Sequence, residues 1–459
     1  MKKIGVCCIV LVVLLTACGG RSVDELFVWD ESVENPFYGE TLTIYATDDD
    51  ILPRFARLYM AANPGVNIEI IESGVTMFAM GSIPDFTPNV ERLRTRLLAG
   101  QAPILMDTRF TGPIRDGFFA DFMPLIEAHP GFNDDEWFMD VFHTLSNDAG
   151  QLFFFPEAIS FIYYAANVNV PGLSDKLAGK TTISSSGMLG IYQALGGRES
   201  GLYMREAQIY SAYQVWFTRD FINLAEEHFD FTSDEFIELL GKTSQIMRPK
   251  PPHVIETMLE LGDWELLMAR YFMFSGMFSP NILHELGLTE REVSFVNPLP
   301  FVSEDGELFI FNVGTSWSLN AGASPIEQAL ALDFLRFMQD TTNSAVADTH
   351  ENLPTMMLGP KPVNRDHFRQ SLDLQLDRTI RWGRHNYPLR YTASETIDYI
   401  HNRTLDIMNL PMASVQFIPQ PILRAFDGIY EELSLGLITP HEAAHRLQNV
   451  AVLVVLEDN

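Results

Sequence analysis

The stretch of sequence that decides the fold begins with TLTIYATDDD (41–50) and ends with ILMDTR (104–109). Three short runs within it, residues 41–47, 66–71 and 104–106, are rich in apolar and β-branched side chains. Runs of this length and composition, bounded by polar or turn-forming residues, are typical of β-strands. The stretch therefore predicts three strands.

Helical spacing separates these three strands. Pro53 lies at the start of a helical pattern that residues 63–65 (Asn-Pro-Gly) end, and Gly100 closes a second pattern over residues 91–99. The order strand–helix–strand–helix–strand predicts an α/β protein with a largely parallel sheet and helices on its faces.

Polar residues follow two of these strands at their carboxyl ends. Thr47 and Asp48 follow the first strand, and Asp107 and Arg109 follow the third. Ligands of open α/β sheets bind beyond the carboxyl ends of the strands, so a ligand site is expected there.

The rest of the chain continues the alternation of strands and helices. We predict a buried strand over residues 152–155, an apolar run over 159–165, mainly helix over 205–247, a helix over 261–274, a hairpin around Asp305-Gly306, a helix from Ser324-Pro325 through Met338, and a final helix from Pro440 towards Val455.

Composition and charge exclude several classes of protein. The 459 residues carry 31 Lys and Arg against 60 Asp and Glu, a formal net charge of -29. This acidity argues against a nucleic-acid partner and against electrostatic docking onto anionic lipid. Three cysteines rule out a disulfide framework, and 47% apolar residues support a packed core. The length is that of two or three domains, or of one fold wound through two lobes.

The N-terminus carries a targeting signal. Lys2 and Lys3 precede an apolar run over residues 4–15, which is too short to span a bilayer and ends in LTAC (15–18). This string resembles the lipobox of bacterial lipoproteins, which implies a signal peptide over 1–17, cleavage before Cys18 and a diacylglycerol on its sulfur. The alternative is an ordinary signal peptide cut after Ala17.

Residues 18–40 are expected to form a lipidated tether. Their composition is mostly polar and small, as in flexible linkers. Phe27, Trp29, Phe37 and Tyr38 are unusually apolar for a linker, so part of this segment is expected to pack on the body. After cleavage 29 basic and 60 acidic residues remain, a net charge of -31.

Several motifs carry a resemblance to a known family. They are LLAGQAP (97–103), DTR (107–109), EAISFIY (157–163), NPLP (297–300), SLNAGASP (318–325) and TPHEAA (439–444). In this order they resemble the extracellular solute-binding proteins of bacterial ABC importers, the family that includes maltose-binding protein. The resemblance covers most of residues 41–457.

The resemblance implies a two-lobed, periplasmic-binding-protein-like α/β fold with hinge-crossing strands and a ligand cleft between the lobes. Lobe I is expected to comprise residues 41–162 with 319–375, and lobe II residues 163–318 with 376–459. The implied function is capture of a small solute, with carbohydrates as the expected class, and delivery to ABC permease subunits. Such a protein is lipid-anchored on the extracytoplasmic face of the cell membrane, and it is not an enzyme and needs no cofactor.

The expected ligand contacts fall into a polar and an aromatic set. The polar set is Thr47, Asp48, Asp107, Arg109 and Glu157, because carboxylates and guanidinium groups form charge-assisted hydrogen bonds with hydroxyls. The aromatic set, which would stack on sugar rings, is Trp264, Phe278 and Trp317. Core packing is the alternative role for the aromatic side chains, helix capping for Asp48, and a surface ion pair for Arg109.

Two features leave other functions open. His441-Glu442-Ala-Ala-His445 fits a zinc-protease pattern, and the many carboxylates allow a glycoside hydrolase, so a secreted hydrolase is the alternative function. A capping box from Thr439 to Glu442 explains the same residues without zinc. Residues 165–167 and 275–278 depart from the family pattern, which leaves a ligand-sensing lipoprotein without a transport role as a third possibility.

Overall fold

The computed structural model describes the following residues: 27–29, 35–47, 51–75, 87–111, 116–147, 149–167, 170–196, 221–223, 228–246, 273–277, 295–300, 302, 306, 308–314, 316–351, 361–371, 373, 412–414 and 420–458.

The strands in these residues are β1 (Thr41–Ala46), β2 (Asn67–Glu72), β3 (Leu105–Asp107), β4 (Phe155–Pro156), β5 (Ala158–Asn167), β6 (Ile222–Asn223), β7 (His228–Phe229), β8 (Met273–Met277), β9 (Phe295–Pro300), β10 (Phe309–Val313), β11 (Ser316–Leu319), β12 (Lys361–Pro362) and β13 (Met412–Ser414). The helices are α1 (Leu52–Ala62), α2 (Thr87–Leu98), α3 (Thr108–Thr111), α4 (Met123–Ala128), α5 (Met139–Leu145), α6 (Leu173–Leu177), α7 (Ser185–Ala194), α8 (Asp234–Ile246), α9 (Pro325–Met338), α10 (Ser344–Glu351), α11 (Gln420–Ser434) and α12 (Pro440–Asp458).

The first sheet has the strand order β2-β1-β3-β11-β4. Strand β1 is parallel to β2 and β3, whereas β11 is antiparallel to both β3 and β4. In the described residues, four strands of this sheet therefore point the same way and β11 runs against them, so the predicted, largely parallel sheet is confirmed. The antiparallel strand, β11, lies about 200 residues after β3 in the chain. The local sequence pattern therefore did not predict its place in the sheet.

Strand β5 joins two regions of sheet. Its first residues pair with β10 and β12, and Ile159 faces Val313 on one side and Lys361 on the other. Its later residues, from Ile162 on, pair with β8 and β9. One continuous strand of ten residues thus passes from one region to the next.

Buried apolar side chains form separate cores. The first core draws on residues 37–159 and 302–368, and the second core draws on residues 170–299 and 422–451. A smaller third core, which includes Tyr45, Met106 and Phe110, lies on the opposite face of β1 and β3 from Ile44 and Leu105. This alternation follows from the two-residue period of a strand.

Most predicted elements in residues 41–109 are confirmed. Helix α1 buries Phe55 and Tyr59 and has proline in its first turn, while Gly65 (φ 96°) ends the turn that follows. Gly100 (φ 66°) closes α2, which begins earlier than predicted. At the N-cap of α1, Ile51 makes no side-chain capping bond, and Asp48–Asp50 lie outside the described residues.

Three predictions elsewhere need correction. The strand predicted over 152–155 begins only at Phe155, although Leu152 is fully buried. The region predicted as helical over 205–247 contains the short strands β6 and β7 before α8, and the end of the helix predicted over 261–274 lies in β8. Strands β6 and β7 pair with each other, and β8 pairs with the distant β5. Apolar runs of this length fit either a helix or a strand, so local spacing did not distinguish the two.

Later elements agree with the sequence pattern. The predicted hairpin has an antiparallel bridge between Val302 and Phe309 around Gly306 (φ 79°). Helix α9 begins with a complete capping box in which Ser324 and Glu327 exchange hydrogen bonds. Among the described residues, no helix is both long enough and apolar enough to cross a membrane.

Candidate functional site

Four side chains lie at one edge of the first sheet. Thr47 and Asp107 stand at the carboxyl ends of β1 and β3, and Glu157 follows β4, which points the same way. Trp317 is in β11 and pairs in register with Asp107 on one side and Phe155 on the other. Neighbouring strands therefore bring together residues from four separate segments.

The Asp107 carboxylate holds the Arg109 side chain in place. Asp107 is fully buried, and its two oxygens accept hydrogen bonds from Arg109 Nε at 2.9 and 2.8 Å and from Nη2. The backbone N–H of Arg109 also donates to Asp107 Oδ1 at 2.9 Å. Arg109 Nη2 donates in addition to Thr47 Oγ1 at 3.0 Å. The Arg109 side chain is 28% exposed, and its guanidinium is thus oriented by a bidentate ion pair and by Thr47 at the end of β1.

Hydroxyl contacts attach the short helix α3 to β11. Thr108 Oγ1 shares a hydrogen bond with Ser316 Oγ, and Thr111 Oγ1 shares one of 2.8 Å with Ser318 Oγ. Both serines are buried. Because α3 carries Arg109, these contacts fix the helix that presents the guanidinium.

Glu157 is held at its side chain and at its backbone. The indole N–H of Trp317 donates to Glu157 Oε2 at 2.7 Å. The side-chain amide of Gln339, at the C-cap of α9, donates to the Glu157 carbonyl at 3.0 Å. Gln339 is 1% exposed, and its amide oxygen accepts the N–H of Asn364 at 3.1 Å. The half-buried carboxylate is therefore positioned from two sides.

The predicted site residues separate into two groups. In the first group Arg109 donates hydrogen bonds to both Thr47 and Asp107. In the second group Glu157 accepts a hydrogen bond from Trp317, which is 4% exposed and packs in the first core. The remaining predicted positions, Cys18, Asp48, Trp264 and Phe278, lie outside the described residues.

Sequence reasoning missed Ser316 and Gln339. Ser316 directly precedes Trp317, yet its partner Thr108 is 208 positions away. Gln339 is 182 positions from Glu157. In the sequence, the signal for a positioning role was that Gln339 directly follows a strongly apolar helix. A glutamine in such a place is expected to be buried, and buried amides are almost always hydrogen-bonded.

The His441–His445 motif lies on α12, which packs in the second core through Ala443 and Ala444. Glu442 accepts hydrogen bonds from the backbone N–H and the hydroxyl of Thr439 at 2.8 and 2.9 Å, and its own N–H donates to Thr439 Oγ1 at 3.2 Å. These bonds lower the pKa of Glu442 and confirm the predicted capping box. Within the part of the chain that the structure describes, no group of three or more His, Cys, Asp or Glu could hold a metal ion.

Comparison with known proteins identifies the fold. No protein-family model and no curated protein matches the sequence. Among solved structures, the sugar-binding protein MalE from Xanthomonas citri matches with a TM-score of 0.59 and 15% identity, covering 91% of this chain and 98% of that one. An extracellular solute-binding protein of family 1 from Alicyclobacillus acidocaldarius matches with a TM-score of 0.56 and 14% identity, covering 90% and 98%.

A cyclo/maltodextrin-binding protein complexed with maltotetraose is a further match. Its TM-score is 0.53 and its identity 14%, and the alignment covers 90% of this chain and 96% of that one. Agreement over nine-tenths of both chains at such low identity concerns the fold. The chain therefore has the two-lobed α/β fold of the extracellular solute-binding proteins.

Proposed function

We propose that this protein is an extracellular receptor that captures a small solute, a carbohydrate, and delivers it to the permease of an ABC transporter. The observation that carries the proposal is the polar group of Thr47, Asp107, Arg109 and Glu157 at the carboxyl edge of the first sheet. In open α/β sheets this edge is where ligands bind. The fold supports the same role, because its solved neighbours named above are binding proteins.

Within this site we assign distinct roles to the polar residues. Arg109 is the partly exposed cation, so it donates charge-assisted hydrogen bonds to solute hydroxyls. Asp107 is fully buried and positions Arg109 without touching the solute. Thr47 and the next residue in the chain, Asp48, contact the solute at the end of the site next to β1. Glu157 accepts hydrogen bonds from the hydroxyls of the solute at the other end, next to β4. Trp317 and Gln339 position Glu157.

The carbohydrate class rests on chemistry and on the neighbours. Guanidinium and carboxylate groups suit the hydroxyls of a sugar, and the matched proteins include a sugar-binding protein and one complexed with maltotetraose. We propose that Trp264 and Phe278 supply the apolar surface that covers the C–H face of the ring.

We also propose the anchoring and the lobe boundaries predicted above. Residues 1–17 form the signal peptide, and a diacylglycerol on Cys18 holds the mature chain on the extracytoplasmic face of the membrane. Lobe I comprises 41–162 with 319–375 and lobe II comprises 163–318 with 376–459. The division of the buried side chains into a first and a second core supports two lobes, with β5 passing from one region of sheet to the next. Four residues near the proposed boundary, Val302, Phe309, Phe311 and Trp317, pack in the first core although the boundary at 318 assigns them to lobe II. Closure of the lobes on the solute is a hinge motion driven by tighter binding in the closed state.

A thermal-shift screen of purified protein against mono- and oligosaccharides tests the proposal. A ligand at 100 times its Kd adds about 2.7 kcal/mol of stability to the folded state and raises the Tm. The same sugar should raise the Tm of an Arg109→Lys variant less at equal concentration. If no sugar raises the Tm of the wild-type protein, the carbohydrate assignment fails. Binding of a sugar without selective uptake by cells that carry the gene would contradict the transport role.

A further inference from the structure

The charge of Arg109 is compensated inside the protein. Asp107 is fully buried, and both of its carboxylate oxygens accept hydrogen bonds from the Arg109 guanidinium. The backbone N–H of Arg109 donates to the same carboxylate. A guanidinium paired in this way still directs N–H groups towards a solute, but it brings no net positive charge to the site.

Glu157 adds a negative charge to the candidate site. The indole N–H of Trp317, which donates to its Oε2 at 2.7 Å, is an uncharged donor. Such a bond orients a carboxylate without cancelling its charge. The polar side chains assigned to the site among the described residues therefore include two carboxylates, Asp107 and Glu157, against one guanidinium, a formal charge of -1.

The Arg109 pair and Glu157 are close enough to act on one solute. Trp317 pairs in register with Asp107 on one side and with Phe155, two residues before Glu157, on the other. Strands β3 and β4 are thus two strand spacings apart, about 10 Å. In physiological salt, electrostatic interactions between exposed charges decay over about 8 Å, and more slowly where protein excludes water. A charged group on a solute next to Arg109 therefore still interacts with Glu157.

The charge of the whole chain acts in the same direction. The chain carries 60 acidic and 31 basic residues. The summed field of a protein changes the local concentration of charged solutes before they make contact. An anionic solute is therefore disfavoured both during its approach and in the site.

We propose that Asp107 and Glu157 make the site select uncharged carbohydrates and exclude acidic ones, such as uronic acids and sugar phosphates. The inference rests on the proposed function and adds the charge class of the solute to it. Asp107 is a positioning residue that acts through Arg109, whose charge it compensates. Glu157 acts directly, because it accepts hydrogen bonds from hydroxyls and repels a carboxylate. Unfavourable charge pairs of this kind exclude competing ligands.

Matched sugars separate the effect of charge from that of shape. Glucose, galactose, mannose and their 1→4-linked disaccharides are each compared with the uronate and with the uronamide, which has the size of the uronate but no charge. At pH 7 carboxylic acids with a pKa of about 4 are ionised. Isothermal titration should give a Kd about 10-fold higher for the uronate than for the neutral sugar, and a Kd for the uronamide within about 3-fold of that sugar.

Glu157→Gln tests the charge alone, because glutamine keeps an oxygen that can accept the Trp317 N–H. The ratio of the uronate Kd to the neutral-sugar Kd should fall to about 3 or less. Asp121→Asn is the matched control. Asp121 Oδ1 accepts the backbone N–H groups of Met123 and of Leu152, which precedes the amino end of β4. The control removes the same charge from the chain away from the carboxyl edge, so its ratio should equal that of the wild type.

Asp107→Asn tests the compensation of Arg109. Without the carboxylate the guanidinium carries a net charge, so the ratio should fall further than in Glu157→Gln. Breaking a buried ion pair destabilises a fold, so circular dichroism first checks that the variant is folded. Where it is not, Glu157→Gln decides the proposal.

The outcomes distinguish this selection from the proposed function. A uronate that binds the wild-type protein as tightly as its neutral sugar would overturn the selection and leave the proposed function standing. A uronamide that binds as weakly as the uronate would show that shape, not charge, excludes the acid, and so would a ratio in Glu157→Gln equal to that of the wild type. If no sugar of any set binds, the carbohydrate assignment fails and the selection fails with it.

Discussion

The indole N–H of Trp317 donates to Oε2 of Glu157 at 2.7 Å, although the two residues are 160 positions apart in the chain. Trp317 belongs to the only strand of the first sheet that runs against its neighbours, among the residues described. The bond therefore joins a late segment of the chain to the loop between β4 and β5. A buried tryptophan in this position stabilises a carboxylate and packs in the core at the same time.

The first prediction concerns this bond. Trp317→Phe removes the donor and part of the ring, so we expect a loss of about 2 kcal/mol in the free energy of unfolding and a weaker affinity for the solute. Trp137→Phe is the control, since Trp137 is also buried and donates its indole N–H at 2.8 Å, but to the Gly131 carbonyl. Denaturant unfolding and calorimetric titration measure the two effects. Equal losses of affinity in both variants would contradict a positioning role for Trp317.

The second prediction concerns the guanidinium fork. Arg109→Lys cannot keep two parallel bonds to Asp107 together with the bond to Thr47, so we expect solute affinity to fall about 10-fold, or about 1.4 kcal/mol. Arg446→Lys serves as the control, because the Arg446–Glu432 pair is exposed and should contribute less than about 1 kcal/mol. Isothermal titration gives the Kd. An unchanged Kd in Arg109→Lys would remove Arg109 from the site.

The third prediction concerns Asp333 and pH. Burial acts to raise the pKa of Asp333, but the His129 imidazole 3.5 Å away, the nearby Arg336 guanidinium and the hydrogen bond from the Tyr59 hydroxyl outweigh it and hold that pKa below its ordinary 3.8. Burial, and after it the neighbouring Asp333 carboxylate, raises the pKa of the Tyr59 hydroxyl. Asp333→Asn should therefore cost about 3 kcal/mol at neutral pH, where the wild-type carboxylate is ionised.

The sign of the pH dependence follows from the lowered pKa. The stabilisation is fully present above the unfolded-state pKa and is lost as the pH falls through the folded-state pKa. The difference in stability between wild type and Asp333→Asn should thus be constant above about pH 5 and narrow below pH 4. Asp366→Asn, in an exposed pair with Arg369, is the control. If the difference in stability between wild type and Asp333→Asn is the same from pH 3 to pH 7, ionisation of Asp333 contributes nothing to the stability of the fold.

The fourth prediction separates helix capping from zinc chemistry on α12. Thr439→Ala should cost about 1 kcal/mol, because the hydroxyl caps the helix through Glu442. His441→Ala should change stability by less than about 0.5 kcal/mol and leave the zinc content of the purified protein unchanged. Elemental analysis and thermal unfolding provide the measurements. Zinc that is present in wild type and lost in His441→Ala would favour the hydrolase alternative.

Several features could be predicted because they depend on neighbours in the chain. The strands and helices of residues 41–109 follow from spacing, proline and glycine positions, and both capping boxes follow from a Ser or Thr three residues before a Glu. The sequence also predicted that Thr47 and Asp107 lie at the same edge of the sheet, because the carboxyl ends of parallel strands meet at a common edge.

Other features could not be predicted because local spacing fits more than one structure or because the contacts involve distant segments. Residues 222–223 and 228–229 form a strand pair within a stretch whose apolar spacing also fits a helix. The aromatic residues at 27, 29 and 37 indicated packing on the body, but their partner His129 follows a helix that begins more than 80 residues later.

The sequence by itself determined the α/β alternation, the edge of the sheet that carries polar residues and the aromatic character of residues 27–38, since each depends on periodicity or on adjacent residues. Only the tertiary structure decided that both oxygens of Asp107 bind Arg109, that Trp317 is buried against Glu157, and that Trp29 packs on His129, which faces Asp333. These contacts join segments separated by long stretches of chain, or depend on how deeply a side chain is buried. Burial and pairing of this kind are set by the packing of the whole fold.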